Sequence, residues 1–442
     1  MKKTRTVQGI AGVDRRQPKV KLNLVDSRVN ADKPIGSRKI AIRIQVEEAP
    51  PDTGHTTGSG ARDVRLFRNG ALIKVWHGDV LDSRTAVTLE ETISLVAGEN
   101  RLTAYGFNRD NIKSADDTVS LMGSDALKRK GVLYVLTVGV NEYANPEYNL
   151  KYAGADAQEF GETLLQEQNK LGNFSRFELI PLLNQDATKA NILAALGRLA
   201  TSNGELPPNA PAVLNRIKPA EPEDAVIIFF AGHGTAQKAR FYLIPHDLGY
   251  DGPRDALDQS RLDALLAHSI SDQELERAFE PIDAGDLLMV LDACNSGQAL
   301  ESEEKRRGPM NSVGLAQLAY ENGIYILTAA QAYQAALEAS ELGHGFLTYA
   351  LVEEGLKNGE ADREPKDGKV LIREWVDFAV GRVPEMQAAA LRGSRGLKIV
   401  FAQGDEKVSE PAKRNLQRPR VFYRRELEPQ PLVLEKVKSK KP

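Results

Sequence analysis

The sequence contains a single cysteine, Cys294, among 442 residues. One thiol excludes a disulfide within the chain and any metal site that needs several thiolates. Long apolar runs are lacking too, since no stretch approaches the roughly 18 residues that a membrane helix needs. The basic N-terminal residues are not followed by the apolar segment of a signal peptide. We therefore expect a reducing, cytoplasmic location and no membrane contact.

Net charge is also nearly absent. Lys and Arg number 58 and Asp and Glu number 61, which gives a formal charge of −3. This balance gives no reason to expect nucleic acid as a partner. The hydrophobic fraction of 41% is typical of a globular protein. Because 442 residues exceed one ordinary core, two domains are expected.

The N-terminal part of the chain has the alternating pattern of β-strands. Residues 1–18 carry little pattern and are expected to be disordered, and residues 19–121 contain about seven short strands separated by turn residues. Asn69-Gly70 between two such strands is a strong hairpin signal, because both residues accept positive φ. The pattern predicts an antiparallel β-sandwich of immunoglobulin type. A polar, basic linker is predicted at 122–131.

The period at which apolar residues recur changes after the linker. Over residues 132–403, apolar runs typical of buried strands alternate with amphipathic helices. This alternation predicts an α/β fold, a mostly parallel sheet sandwiched by helices. Residues 404–442 hold 11 Lys and Arg against 6 Asp and Glu. They are expected to form a solvated, partly ordered basic tail.

Two of the apolar strands end in residues that can carry chemistry. The segment 286–297, DLLMVLDACNSG, leads to Cys294, and FFAGHGT at 229–235 leads to His233. The carboxyl ends of neighbouring parallel strands face one crevice, where an imidazole can deprotonate a thiol. Backbone N–H groups of Gly234 and Cys294 would then face a developing oxyanion. The alternative, a structural histidine and an inert core thiol, stays open.

Three further histidines are weaker candidates. His246 follows a proline in a loop, His268 lies in an irregular polar stretch, and His344 sits in a Gly-flanked turn. None of them ends an apolar strand, so none is assigned a chemical role.

Several motifs in order resemble the caspase-like cysteine peptidases, in particular their metacaspase and bacterial caspase-homologue branch. The resemblance covers roughly residues 131–402, and a β-rich segment ahead of it resembles an accessory domain of bacterial relatives. The motifs are VGVNEY at 138–143, LKYAGADA at 150–157, AGHG at 231–234, FYLIPHD at 241–247, LDACNSG at 291–297 and GHGFLTYAL at 343–351. The resemblance implies peptide-bond hydrolysis with His233 as base and Cys294 as nucleophile. It also implies that the chemistry requires no metal or other cofactor.

The resemblance bears on specificity through two carboxylates. Animal caspases have Gln two residues before the nucleophile, where this chain has Asp292. In the metacaspase branch that aspartate and a second one, here Asp156, form an acidic pocket. Two carboxylates would pair with a cation, so cleavage after Arg or Lys is expected. The alternative stays open that Asp156 caps a helix and Asp292 is a solvated strand end.

A basic specificity would make parts of the chain its own substrate. Lys305, Arg306 and Arg307 lie in a polar segment after the nucleophile, where caspase-like enzymes are often processed. We expect self-cleavage at Arg306 or Arg307; an ordinary charge cluster is the alternative.

Calcium activation is known among metacaspase relatives, and this sequence leaves it open. Residues 362–372 are similar to an EF-hand loop, but Arg363 and Lys366 stand where oxygen ligands are needed. We therefore predict no standard calcium site and no resident metal.

The leading hypothesis is a cysteine endopeptidase acting on proteins or peptides. The competing hypothesis is a non-catalytic or weakly active caspase-fold interaction module whose β-sandwich binds a protein partner. The presence of both His233 and Cys294 favours the first.

Overall fold

A computed structural model of the chain describes residues 12–25, 33–237, 240–253, 256–295, 312–329, 337–339, 343–391, 399–401, 418–424 and 432–436. The chain divides into two compact units, Met1–Arg129 and Lys130–Pro442. In the described part, no helix is both long enough and apolar enough to cross a bilayer.

The first unit consists of antiparallel sheets. Its seven labelled strands are β1 (Lys19–Leu24), β2 (Lys39–Glu47), β3 (Arg62–Arg68), β4 (Ala71–Asp79), β5 (Ala86–Ser94), β6 (Gly98–Phe107) and β7 (Asp117–Gly123). One sheet has the order β1-β2-β5 and the other the order β4-β3-β6-β7. Alternate residues of β2 are buried, as the period of two requires for a strand with one face on a core. Asn69 and Gly70 both have positive φ and join β3 to β4 in the predicted hairpin.

Two boundaries of this unit differ from the sequence prediction. Strand β7 continues through Gly123 and a short 3-10 helix follows at Asp125–Leu127, so the first half of the predicted linker is regular structure. Of the segment predicted to be disordered, residues 12–18 are described, and Arg16 donates to the carbonyl oxygens of Pro50 and Thr57. Residues 1–11 lie outside the described part of the chain.

The second unit is the predicted mixture of strands and helices. Its strands are β8 (Val132–Gly139), β9 (Arg176–Leu183), β10 (Ala225–Gln237), β11 (Arg240–Ile244), β12 (Ile270–Ser271), β13 (Asp286–Asn295), β14 (Tyr325–Thr328), β15 (Leu337–Ala339), β16 (His344–Gly345), β17 (Lys369–Leu371), β18 (Ile399–Phe401), β19 (Arg420–Phe422) and β20 (Val433–Lys436). Its α-helices are α1 (Ala153–Leu171), α2 (Lys189–Ala200), α3 (Gln259–His268), α4 (Asp272–Phe279), α5 (Ser312–Asn322), α6 (Phe346–Tyr349) and α7 (Ile372–Leu391), and a π-helix, Ala350–Lys357, continues α6.

The main sheet of this unit is mostly parallel, which confirms the predicted fold class. Strand β10 pairs in parallel with β13 on one side and with β8 on the other, and β8–β9 and β13–β14 are also parallel. The apolar runs predicted as buried strands form β8, β10 and β13, and most of their side chains are fully buried. Phe160 of α1 packs on Phe229 of β10, with ring centroids 4.4 Å apart, and on Trp375 of α7.

The sequence also predicts helix N-caps at Thr188 and Ser271, and both residues cap a helix. The Thr188 hydroxyl accepts a hydrogen bond from the Asn191 N–H at the start of α2. Ser271 and Glu274 form a reciprocal capping box at the start of α4. Such caps satisfy N–H groups that have no partner inside the helix.

Other elements differ from the prediction. Helices α3 and α5 were not predicted, and His268 is the last residue of α3 instead of lying in an irregular stretch. The basic tail is not wholly solvated: β19 pairs with β14 at the edge of the main sheet, and β20 pairs with β17. These short strands gain their hydrogen bonds from distant partners, and local sequence does not report such pairing.

Candidate active site

His233 and Cys294 are register partners on adjacent parallel strands, β10 and β13. The sequence predicted that this apolar strand ends at His233, which is wrong. Strand β10 continues to Gln237, and at His233 its second partner changes from β8 to β11. His233 therefore lies just beyond the carboxyl end of β8, at the crevice edge of the sheet. Neighbouring strands run roughly 4.8 Å apart, so the two backbones lie side by side.

The His233 side chain is fully buried and held by two tyrosines. Its Nε2 lies 2.8 Å from the carbonyl oxygen of Tyr148, and its backbone N–H donates to the Tyr143 hydroxyl over 2.7 Å. The Tyr143 and Tyr148 rings lie 5.0 and 5.9 Å from the imidazole. A carbonyl oxygen only accepts, so Nε2 carries the proton and the neutral imidazole keeps its lone pair on Nδ1. The site thus fixes which nitrogen can take a proton.

The two glycines beside His233 are required by close packing. A Cβ on Gly232 would lie 2.9 Å from the Tyr143 hydroxyl, and one on Gly234 would lie 3.3 Å from the Ala293 Cβ. Neither glycine has positive φ, and both lie inside β10. The glycines therefore allow neighbouring side chains to approach closely, and no special backbone turn is involved.

Gly234 is the predicted second oxyanion donor. It pairs in register with Asn295, so its backbone lies beside the residue that follows Cys294. Its role toward an oxyanion stays a prediction.

Asp156 lies in the first turn of α1, and its carboxylate is almost fully buried. Oδ1 lies 2.9 Å from Nδ1 of His344, and the Gly345 N–H lies 3.2 Å from both oxygens. Because α1 begins at Ala153, Asp156 does not cap the helix, and that alternative is wrong. Burial raises the pKa of Asp156, while the hydrogen bond from His344 opposes this shift.

Asp292 lies on β13 and is also buried, so it is not a solvated strand end. Its Oδ2 accepts a hydrogen bond of 3.1 Å from the Thr348 hydroxyl. A Cβ on Gly345 would lie 3.0 Å from Oδ2 of Asp292 and 3.2 Å from Oδ2 of Asp156. The two predicted pocket residues therefore border one small volume; we call them the acidic pair.

Sequence reasoning missed the direct neighbours of the acidic pair. His344 was only a weaker candidate, yet it contacts Asp156 directly, and Thr348 binds Asp292. The signal that was present is the GHGFLTYAL motif, in which His344 stands between two glycines as His233 does. The contact spans 188 positions along the chain, so it could not be found from spacing.

Two predictions concern other parts of the chain. The self-cleavage residues Arg306 and Arg307 lie outside the described residues. In the loop compared with an EF-hand, the Asp362 carboxylate accepts hydrogen bonds from the N–H groups of Asp367 and Gly368. Within the described ranges, no cluster of three or more metal-binding side chains has ligand geometry.

Comparison with known families identifies this region. The caspase domain model of peptidase family C14 matches residues 211–378. This match supports a caspase-like cysteine peptidase family for that part of the chain, as the sequence motifs suggested. The match spans His233, Asp292, Cys294 and His344, whereas Asp156 precedes it. The match supports cysteine peptidase activity in general, with protein or peptide substrates.

Other comparisons add little. No curated protein matches the chain. Among solved structures, fibronectin(III)-like modules of Clostridium thermocellum CbhA are 16% identical, with 24% of this chain and 96% of that chain covered at a TM-score of 0.16. A putative polysaccharide deacetylase from Bacillus anthracis is 9% identical, with 68% and 78% covered and a TM-score of 0.16. Likenesses at such TM-scores carry no argument about fold or function.

Proposed function

We propose that the protein is a cysteine endopeptidase that cleaves after Arg or Lys, with Cys294 as nucleophile and His233 as base. The observation that carries this proposal is the register pairing of His233 with Cys294 at the crevice edge of a parallel sheet. The acidic pair supports the basic specificity, because two buried carboxylates border one volume.

The chemistry proceeds through a thioester. Nδ1 of His233 takes the proton of the Cys294 thiol, and the thiolate attacks the carbonyl carbon of the peptide bond. The N–H groups of Gly234 and Cys294 stabilise the oxyanion of the tetrahedral intermediate. When the C–N bond breaks, the imidazolium returns its proton to the leaving amine. Water then hydrolyses the thioester and restores the thiol, so no metal or other cofactor takes part.

The Tyr148 carbonyl oxygen has a specific part in this scheme. It accepts from Nε2 of His233 at 2.8 Å and so keeps the basic lone pair on Nδ1. A carbonyl oxygen also stabilises the imidazolium that forms after proton transfer, because the Nε2 hydrogen bond becomes charge-assisted. Tyr148 thus acts through His233 as a positioning residue.

The specificity part of the proposal rests on electrostatics. Asp156 and Asp292 are both buried and both approach Gly345, and two buried carboxylates close together favour an added cation. A guanidinium or ammonium group of the substrate supplies that positive charge. An acidic substrate side chain would add a third negative charge at close range, so cleavage after Asp is disfavoured.

Self-processing follows from the same specificity. We propose cleavage at Arg306 or Arg307, which lie 12 and 13 positions after Cys294. The proposal is tested by incubating the purified protein beside Cys294→Ala and Arg306→Gln/Arg307→Gln versions. The fragments are then weighed by mass spectrometry. Cleavage of the Cys294→Ala protein at the same rate would contradict self-processing.

For the first unit we propose an immunoglobulin-type sandwich that binds a protein partner. The support is its pair of antiparallel sheets, β1-β2-β5 and β4-β3-β6-β7, around a hydrophobic core of its own. If peptide hydrolysis proves absent, this unit would make the chain an interaction module.

The proposed function is tested with fluorogenic peptides ending in Arg, Lys or Asp. We expect turnover of the first two, loss of activity in Cys294→Ala and His233→Ala, and no loss in the control His268→Gln, whose side chain is exposed at the end of α3. Calcium is included in one arm. Absence of turnover in every arm would contradict the peptidase proposal, and turnover only after Asp would contradict the specificity.

A further inference from the structure

We propose that His344 is a specificity-determining residue, which competes with the cationic side chain of the substrate for Asp156. This inference rests on the proposed function, because it takes the acidic pair as the site that holds Arg or Lys. The new element is that protonated His344, a cation of the protein itself, already contacts one of the two carboxylates, Asp156.

The geometry places His344 where a substrate cation would bind. Its Nδ1 lies 2.9 Å from Oδ1 of Asp156, the distance of a charge-assisted hydrogen bond. The His344 side chain is 20% exposed, against 6% for Asp156. The imidazole is therefore open to solvent protons, whereas the Asp156 carboxylate is almost fully buried.

The charges around His344 come from several elements. Asp156 and Glu159 belong to α1, Glu353 belongs to the π-helix that follows α6, and all three favour the protonated imidazole. These acids raise the pKa of His344 above its ordinary value, with the Asp156 hydrogen bond as the largest cause.

Two further charged groups complete the surroundings. Lys357 pairs with Glu159 and, over 2.6 Å, with Glu353. Both of these acids thus have a lysine partner, and Asp156 is the acid that His344 itself contacts. Asp292 approaches Gly345 from the same side as Asp156 and adds its negative charge there.

The consequence is a dependence of substrate affinity on pH. Below the raised pKa of His344, the imidazolium neutralises Asp156, and a substrate cation has to displace it. Above that pKa, the imidazole is neutral and Asp156 holds the substrate cation instead. The KM for an Arg peptide should therefore fall as pH rises, whereas the KM for an uncharged analogue should not.

Two variants separate competition from a structural role. His344→Asn keeps an N–H donor for Asp156 but cannot be protonated, and His344→Lys is cationic at every pH used. We expect the KM of the wild type for an Arg peptide to fall about tenfold between pH 5.5 and 8.5. The Asn variant should show a low KM throughout, and the Lys variant a high one. His268→Gln is the matched control and should follow the wild type.

A comparison of two peptides on the wild-type protein gives a test that does not depend on whether the variants fold. Peptides ending in Arg and in citrulline differ mainly in charge, so the ratio of their KM values isolates the charge-dependent part. A ratio that does not change with pH would overturn the inference.

A binding measurement on inactive protein distinguishes failure of the His344 inference from failure of the proposed acidic pocket. Agmatine, a small guanidinium compound, is titrated into Cys294→Ala proteins with and without His344→Asn. Tighter binding at pH 8.5 than at pH 5.5, lost in the Asn variant, supports the inference. Binding with the same pH dependence in both would overturn the inference alone. No binding in either protein at any pH would overturn the acidic pocket of the proposed function as well.

Discussion

Replacement of Gly345 by Ala is the substitution that tests the acidic pair most narrowly. Gly345 has φ −64° and ψ 150°, a conformation that alanine adopts without strain. The added Cβ would lie 3.0 Å from Oδ2 of Asp292 and 3.2 Å from Oδ2 of Asp156. Any effect therefore arises from the space between the two carboxylates and not from the backbone.

The magnitude follows from the cost of overpacking. One additional methyl group in a tight site costs roughly 1–3 kcal/mol. If the methyl takes the space of the substrate cation, the same energy lowers kcat/KM for an Arg peptide roughly 5- to 150-fold. The rate at which iodoacetamide alkylates Cys294 should change much less, because this small neutral reagent does not need the acidic pair.

Gly381 offers a matched control in α7. A Cβ there meets nothing within 4 Å. Gly381→Ala should therefore keep full activity and gain stability by up to about 1 kcal/mol, as expected for a glycine inside a helix. Urea unfolding of both variants separates loss of stability from loss of affinity. Wild-type cleavage of Arg peptides by Gly345→Ala would refute the assignment of the acidic pair as the substrate pocket.

Two further predictions concern the base and the stability of the fold. Tyr143→Phe removes the acceptor of the buried His233 N–H, which should cost about 1–3 kcal/mol of stability in an unfolding experiment. In steady-state kinetics, kcat should fall while KM changes less. Burial, with Glu167 and Asp362 nearby, raises the pKa of Glu435 to about 7 from an ordinary value of 4.5. The folded protein loses stability as pH rises from 4.5 to about 7, because Glu435 has already released its proton in the unfolded chain but still holds it in the folded one. Glu435→Gln should raise Tm more at pH 8 than at pH 5.

Each of these predictions has a result that contradicts it. Unchanged kinetics in Tyr143→Phe would mean that the hydroxyl does not hold His233 in its active position. An equal change in Tm at both pH values in Glu435→Gln would mean that this carboxyl does not titrate differently in the folded and unfolded states.

The sequence was most informative where apolar runs were long and bounded. The runs that form β8, β10 and β13 were predicted because a buried parallel strand needs a nearly continuous apolar sequence. Capping residues such as Thr188 and Ser271 marked helix starts, since their side chains satisfy free N–H groups locally. These features depend on neighbours in the chain and are therefore readable from it.

Features that depend on distant partners were not predicted. Strand β10 extends past His233 because β11 returns to pair with it, and β19 and β20 form because a strand edge is available. The site shows the same limit. His233 and Cys294 were found from local motifs, but the pairing of His344 with Asp156 depends on how β16 meets α1. Tertiary contact decides such details, and local propensity does not.

The central claim is that one thiol, that of Cys294, performs the chemistry beside an acidic pocket that holds Arg or Lys of the substrate. It is tested most directly with peptidyl chloromethyl ketones ending in Arg or in Asp, followed by mass spectrometry of the labelled protein. The thiolate displaces chloride, so each labelled molecule carries one stable adduct. We predict rapid single labelling at Cys294 by the Arg reagent, slow labelling by the Asp reagent and none in Cys294→Ala. Equal labelling rates for the two reagents, or an adduct on another residue, would contradict the account.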